Sequence, residues 1–223
     1  LKILALETAT EACSVALTVD GVTQERVAPG QQHSARILSI IDELLGDAGL
    51  RLQHLDALAF GRGPGLFTGL RIGTGVVQGL AFGADLPVVP VSSLAALAQG
   101  EEAAHVLAAL DARMSQVYWA AYERNVEGVV EQVGSESVVA PAHVLLPQGH
   151  VWVGVGSGWD RYADVLAARL GPRLERWRSG CYPRASDVAR LAVVGFKRGQ
   201  AVRAEQALPV YIRDEVAHKP AAV

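Results

Sequence analysis

A chain of 223 residues with 50% hydrophobic side chains has enough apolar material for one domain with a substantial core or for two small ones. A formal charge of −3 excludes a protein that coats nucleic acid by bulk electrostatics, and two cysteines placed as far apart as Cys13 and Cys181 exclude a disulfide framework or a zinc ribbon. The most apolar runs, Val76–Phe82 and Val88–Leu97, are broken by Gly and Pro and are too short to cross a bilayer; with no signal-peptide pattern, the expected location is a reduced cytoplasm.

In chain order, Ile3–Glu7 and Cys13–Val19 read as strands on either side of a polar turn, and Asp20-Gly21 is a hairpin signal ahead of a third strand, Val22–Val27. The period then changes. Ile37, Ile40, Ile41, Leu44, Leu45 and Ala48 recur at helical spacing, which predicts an amphipathic helix capped by His33 or Ser34 and ending near Gly49. A short strand, Leu55–Phe60, leads into a glycine-rich loop, a glycine-rich helix over Leu70–Phe82, a strand over Val88–Val91 and a helix over Ser92–Gln99.

The plan then repeats. Val106–Asp111, a polar turn and Val117–Tyr122 match Ile3–Glu7, its turn and Cys13–Val19, each first strand ending in an acid. Val129–Val139 and Val151–Gly156 read as further strands, and Asp160–Leu170 and Ser186–Arg198 as helices. The expected fold class is therefore α/β, a duplicated unit in which each half has a mixed sheet and flanking helices. The halves are placed at residues 1–103 and 104–223.

The glycine loop suggests a phosphate cradle, and two templates test that idea. A P-loop needs a lysine to reach the β- and γ-phosphates, and none follows Gly61-Arg62-Gly63-Pro64-Gly65. A dinucleotide fingerprint needs a third glycine that neither this loop nor Gly154-Val155-Gly156-Ser157-Gly158 supplies at the right place, and Pro64 removes an N–H that a phosphate would use. Glu7, with Thr8 beside it, and Asp111 end matching strands, where paired carboxylates would suit magnesium–nucleotide chemistry or simply be polar strand ends. The six histidines show no metal-ligand spacing, and Ser157 lacks the frame of a nucleophile elbow. Between Arg161 and Arg203, ten basic residues stand against three acids, a net +7 that fits either a solvated face or a meeting with RNA or an acidic partner.

Several motifs together resemble the bacterial TsaB (YeaZ) family: Leu4–Leu17 (LALETATEACSVAL), His33-Ser34 at a helix start, Gly63–Gly73 (GPGLFTGLRIG), Leu110–Arg113 ahead of Tyr118, Gly156–Trp159 (GSGW) and Pro209–Arg213 (PVYIR). The resemblance spans nearly the whole chain in order. It implies the duplicated fold of actin, sugar kinases and Hsp70-type ATPases. The implied role lies in forming N6-threonylcarbamoyladenosine at position 37 of tRNA, beside a TsaD-type transferase and a TsaE-type ATPase.

The transferase of that system carries an H-x-x-x-H metal element where this chain has Ser93 and Leu97, and neither replaces a neutral imidazole. The resemblance therefore implies a non-catalytic scaffold with no metal and no required cofactor, leaving only weak nucleotide binding at a vestigial cleft around Glu7, Thr8 and Asp111. An active magnesium–nucleotide-dependent ATPase or phosphotransferase is the alternative. The expected partner surface comprises His33, Ile37, Ile41 and Leu44 on the first helix and Leu70, Arg71, Gly75, Val76 and Gly79 on the glycine-rich one. That surface would hold the transferase in a heterodimer or, when the chain is alone, a second copy; tRNA would be met only through the complex.

Overall fold

The computed structural model describes residues 1–28 and 33–213, with side chains from residue 36 onward in the second stretch. The first sheet contains β1 (Lys2–Glu7), β2 (Cys13–Val19), β3 (Val22–Ala28), β4 (Ala57–Gly61) and β5 (Val88–Val91) in the order β3-β2-β1-β4-β5. The second contains β6 (His105–Asp111), β7 (Val117–Arg124), β8 (Val130–Val139), β9 (Trp152–Val155) and β10 (Leu174–Arg178). Read in the same direction, its order is β8-β7-β6-β9-β10. In each sheet the first three strands are antiparallel and the last two join in parallel, so the duplication extends to every strand. The fold is the duplicated actin-like plan.

The helices complete the pairing. α1 (His33–Asp47) connects β3 to β4, and α2 (Phe67–Ala84) connects β4 to β5. α4 (Ser157–Leu170) is the counterpart of α2 between β9 and β10, whereas residues 140–151 carry only the 3-10 turn Pro141–His143 where a counterpart of α1 would fall. α3 (Ser93–Gln99) and α5 (Ala185–Lys197) follow the last strand of each half.

Central strands are buried on both faces, which explains their uninterrupted apolar runs. From β1, Leu4 and Leu6 pack with Ile37, Ile40, Ile41 and Leu44 of α1 and Val77 of α2, while Ile3 and Ala5 face Val188, Ala189 and Ala192 of α5. From β6, Leu107 and Ala109 face Trp159 and Leu166 of α4, while Val106, Ala108 and Leu110 face Leu94, Leu97 and Ala98 of α3. Each half thus sends its final helix onto the sheet of the other half. The α5 N-terminus is fixed there by Ser14 Oγ, which accepts from Ala185 N–H at 2.8 Å, and by the Glu25 carboxylate, which accepts from Ser186 N–H at 3.0 Å. Chain beyond α5 also returns to the first sheet, where Val202 bridges Val88.

This packing corrects part of the expected partner surface. Ile37, Ile41 and Leu44 are at most 2% exposed and belong to the chain's own core, as does Leu70 at 1%, so these four cannot form a partner surface. An apolar helical stripe seeks the nearest sheet, and here that sheet is internal. The His33 side chain lies outside the described residues. β10 was not anticipated because Leu-Glu-Arg-Trp-Arg is an edge strand with mostly exposed side chains.

The basic stretch from Arg161 to Arg203 is partly neutralised by acids from elsewhere in the chain. Arg176 and Arg178 meet the buried Glu101 at 3.2 and 2.9 Å, Arg161 meets Asp111 at 3.0 Å, Arg198 meets Glu131 at 3.2 Å, and Arg184 pairs with Glu25.

Candidate functional site

α2 carries its glycines in two rows with opposite duties. Gly69 and Gly73 lie on the β1 side, and they continue a line begun by Gly61 and Gly65 in the preceding loop. A Cβ at Gly61 would meet the Glu7 carboxylate, at Gly65 the Ala9 carbonyl, at Gly69 the Thr8 carbonyl and at Gly73 the Thr8 hydroxyl. These glycines seat the chain's own β1–β2 turn against the helix, with Thr8 Oγ1 donating to Gly69 O at 2.8 Å and Leu66 N–H donating to Ala9 O at 2.7 Å. The cradle thus holds protein, not phosphate.

The second row, Gly75, Gly79 and Gly83, faces outward with nothing within 4 Å of where a Cβ would stand. Arg71 and Phe82 share that exposed side, Phe82 being 82% exposed, and Val76 is half-buried at its edge. Arg71 lies over the Phe67 ring, 3.9 Å from its centroid, and Phe67 in turn packs on Tyr211 at 5.4 Å. Of the proposed interface residues, Arg71, Gly75 and Gly79 are therefore exposed. Phe67 and Phe82 were missed, although large apolar residues at the solvent positions of a helix are a readable signal.

At the cleft between the sheets, the two strand-ending acids occupy different environments. Glu7 is fully buried; Ala9 N–H donates to its Oε1 at 2.6 Å and Ser93 Oγ donates to its Oε2 at 2.9 Å. Burial pushes its carboxyl up to about 7, against the lowering effect of those two donors. Asp111 is paired with Arg113 at 3.3 Å and with Arg161 at 3.0 Å. Asp111 lines a cavity of about 20 Å³ with Ala9, Thr10, Glu11 and Ser157, and neither Glu7 nor Thr8 reaches it. That gap suits a water molecule; Asp111 also lines a larger cavity of about 200 Å³ with Phe67, Leu70, Arg113, Tyr118 and Tyr211, below the roughly 300–1,000 Å³ of common ligand pockets.

Ser93 and Leu97, the positions where the resemblance would set a transferase's metal ligands, are filled otherwise. Ser93 is spent on Glu7, and Leu97 is 3% exposed in the core beneath β6. Next to them, Glu136 of β8 accepts from Ser92, from Tyr122 OH at 3.2 Å and from Arg62 at 3.4 Å, which ties the loop after β4 and the α3 N-cap to the second sheet. Burial and the Glu136 charge push the Tyr122 phenol well above its ordinary range.

A family model described as tRNA N6-adenosine threonylcarbamoyltransferase, TsaD, matches residues 4–157. The tRNA threonylcarbamoyladenosine biosynthesis protein TsaB of Escherichia coli K12 is 43% identical over 98% of this chain and 97% of its own length. The chain belongs to the TsaB (YeaZ) family. Its relative of the same name in Haemophilus influenzae is 41% identical over 98% of this chain and 96% of its own length. The structure of YeaZ from Pseudomonas aeruginosa superposes with a TM-score of 0.87 at 44% identity, covering 94% of this chain and 99% of that one. This TsaB-family chain contains no helix long and apolar enough to cross a membrane among the described residues.

Proposed function

We propose that this chain is a non-catalytic subunit in the formation of N6-threonylcarbamoyladenosine in tRNA. It docks a TsaD-type transferase through the outward face of α2 and helps recruit a TsaE-type ATPase, in the cytoplasm. The observation that carries this reading is the outward row Arg71, Gly75, Gly79 and Gly83, flanked by the exposed Phe67 and Phe82. Side-chain-free positions let a partner helix approach closely, and the flanking aromatic rings supply apolar area to bury. When alone, the same face pairs with a second copy.

The non-catalytic part of the reading is supported by how the catalytic positions are used. Glu7 and Ser93 satisfy each other, Leu97 fills the core and Asp111 is neutralised by two arginines. The names borne by the relatives from E. coli and H. influenzae support the tRNA modification, and the chain meets tRNA through the complex.

Two experiments test it. Synthesis of the modified nucleoside from purified transferase, TsaE-type ATPase, threonylcarbamoyl-adenylate source and tRNA is expected to collapse when this chain is omitted; undiminished turnover refutes the proposal. Gly79→Arg is expected to weaken association with the transferase at least about tenfold in sedimentation, with a melting temperature close to wild type, because interface centres tolerate a buried charge poorly and nothing lies within 4 Å of that position in the chain itself. Unchanged sedimentation would remove α2 from the interface.

A further inference from the structure

At the end of the second sheet remote from Asp111, three side chains of metal-binding type meet although they are far apart in sequence. His105 opens β6, and Glu123 of β7 is its direct antiparallel partner, so the two side chains leave the sheet on one face. His150 lies two residues ahead of Trp152, the first residue of β9, which runs parallel to β6 with Val106 opposite Val153. One ligand atom from each of His105, Glu123 and His150 lies within 4.8 Å of the other two.

The imidazole rings are stacked, with centroids 4.0 Å apart and planes 11° from parallel. The buried Trp152 stands edge-on to both, 5.3 Å from His105 and 6.4 Å from His150, and backs the pair on the protein side. His150 Nε2 is 3.9 Å from Glu123 Oε1, too long for a direct hydrogen bond. Two ligands of one tetrahedral cation, each about 2.1 Å from it, stand about 3.4 Å apart, and each imidazole binds in its own ring plane, so the exposed His150 ring must turn out of the stack to close the set.

We infer that His105, Glu123 and His150 form a surface site for a divalent transition cation of the zinc type, with the remaining coordination position left to water. Two imidazoles and a carboxylate are a zinc donor set, and imidazole selects zinc, copper or nickel over magnesium and calcium. The location gives the cation a mechanical role. Residues 140–151 stand where the first half has α1, and a cation held by His150 fastens the end of that segment to β6 and β7. The inference is independent of the partner surface on α2.

Calorimetric titration of the full chain with zinc chloride near neutral pH tests it. The expected result is one zinc per chain, with binding weakened at least about tenfold in His150→Ala and in His105→Ala, less in Glu123→Gln, and unchanged in Cys181→Ser. Magnesium in excess is expected not to compete. No zinc binding by the wild type, wild-type affinity in both histidine variants, or loss of binding in Cys181→Ser each overturns the site. Because His150 is exposed, its variant is expected to melt like wild type without metal. Diffraction at the zinc absorption edge provides the positional check: an anomalous peak among the three side chains supports the site, and a peak elsewhere refutes it.

Discussion

Alanine at Gly69 is expected to destabilise the chain by about 2–3 kcal/mol, while alanine at Gly75, six residues along the same helix, is expected to stabilise it by up to about 1 kcal/mol. Helix propensity alone favours both changes equally, since a glycine inside a helix costs roughly 1 kcal/mol relative to alanine. The difference comes from what the new methyl group meets. At Gly69 it is driven into the Thr8 carbonyl oxygen, a backbone atom that cannot swing away. The Thr8–Ala9 turn is held on several sides: Thr8 Oγ1 donates to Gly69 O at 2.8 Å, Ala9 N–H donates to Glu7 at 2.6 Å and Leu66 N–H donates to Ala9 O at 2.7 Å. Relief therefore requires the helix or the turn to shift and some of these bonds to lengthen. At Gly75 the methyl group meets nothing within 4 Å. Urea denaturation of the two variants beside wild type reads the difference directly, and midpoints that move together would refute the division of the helix into an inward and an outward glycine row. The same Gly75→Ala variant carries a second expectation under the proposed function: a more stable chain that binds its partner less well, because the methyl group holds the partner helix off.

How much of this was readable in advance differs from element to element. β1, β2, β6 and β7 were legible because burial on both faces writes an unbroken apolar run, and the repeated acid at the ends of β1 and β6 exposed the duplication. α4 begins at Ser157, ahead of the expected Asp160, because Gly158 looks like a turn residue; in the fold it is a helical glycine pressed against Ala109. Periodicity announces that a helix has an apolar side but not which surface that side will cover. Val188 and Ala192 of α5 therefore gave no hint that they rest on the first sheet, and the stripe Ile37, Ile41, Leu44 passed for a partner surface although it lies in the core. Charge showed the same limit. The run of arginines after Arg161 looked unbalanced because its acids, Glu25, Glu101, Asp111 and Glu131, come from distant stretches. Linear spacing likewise separates His105 from His150, which only the parallel pairing of β6 with β9 brings together.

Stability is expected to fall as pH rises from about 4.5 to about 7, and Glu7→Gln is expected to flatten that slope. The Glu7 carboxyl is raised from 4.5 to about 7, chiefly by burial, so in that interval the folded chain keeps a proton that the unfolded chain has released. The folded state then binds more protons than the unfolded state, and stability must decrease with rising pH, by about 3 kcal/mol once pH exceeds the folded value. Asp187, raised from 3.8 to about 6 by burial and by the nearby Glu25 charge, contributes with the same sign at lower pH. Its contribution survives in the Glu7 variant, so the part of the slope nearest pH 7 is the part that should vanish. Glutamine keeps one oxygen, which can accept from Ala9 N–H, and puts an NH2 group where Ser93 Oγ now donates, so the Ser93 hydroxyl must turn to accept from it; that cost is independent of pH and drops out of the slope. Urea midpoints at several pH values between about 5 and 8 separate the outcomes, and an unchanged slope in Glu7→Gln would show that Glu7 is not the buried acid responsible. The expectation bears on the proposed role as well. A carboxyl enclosed by Gly61, Ala9 and Ser93 and held half-protonated near neutrality cannot turn toward a magnesium ion without being dug out of the core. Its hydrogen bonds fasten the turn between β1 and β2 to the start of α3.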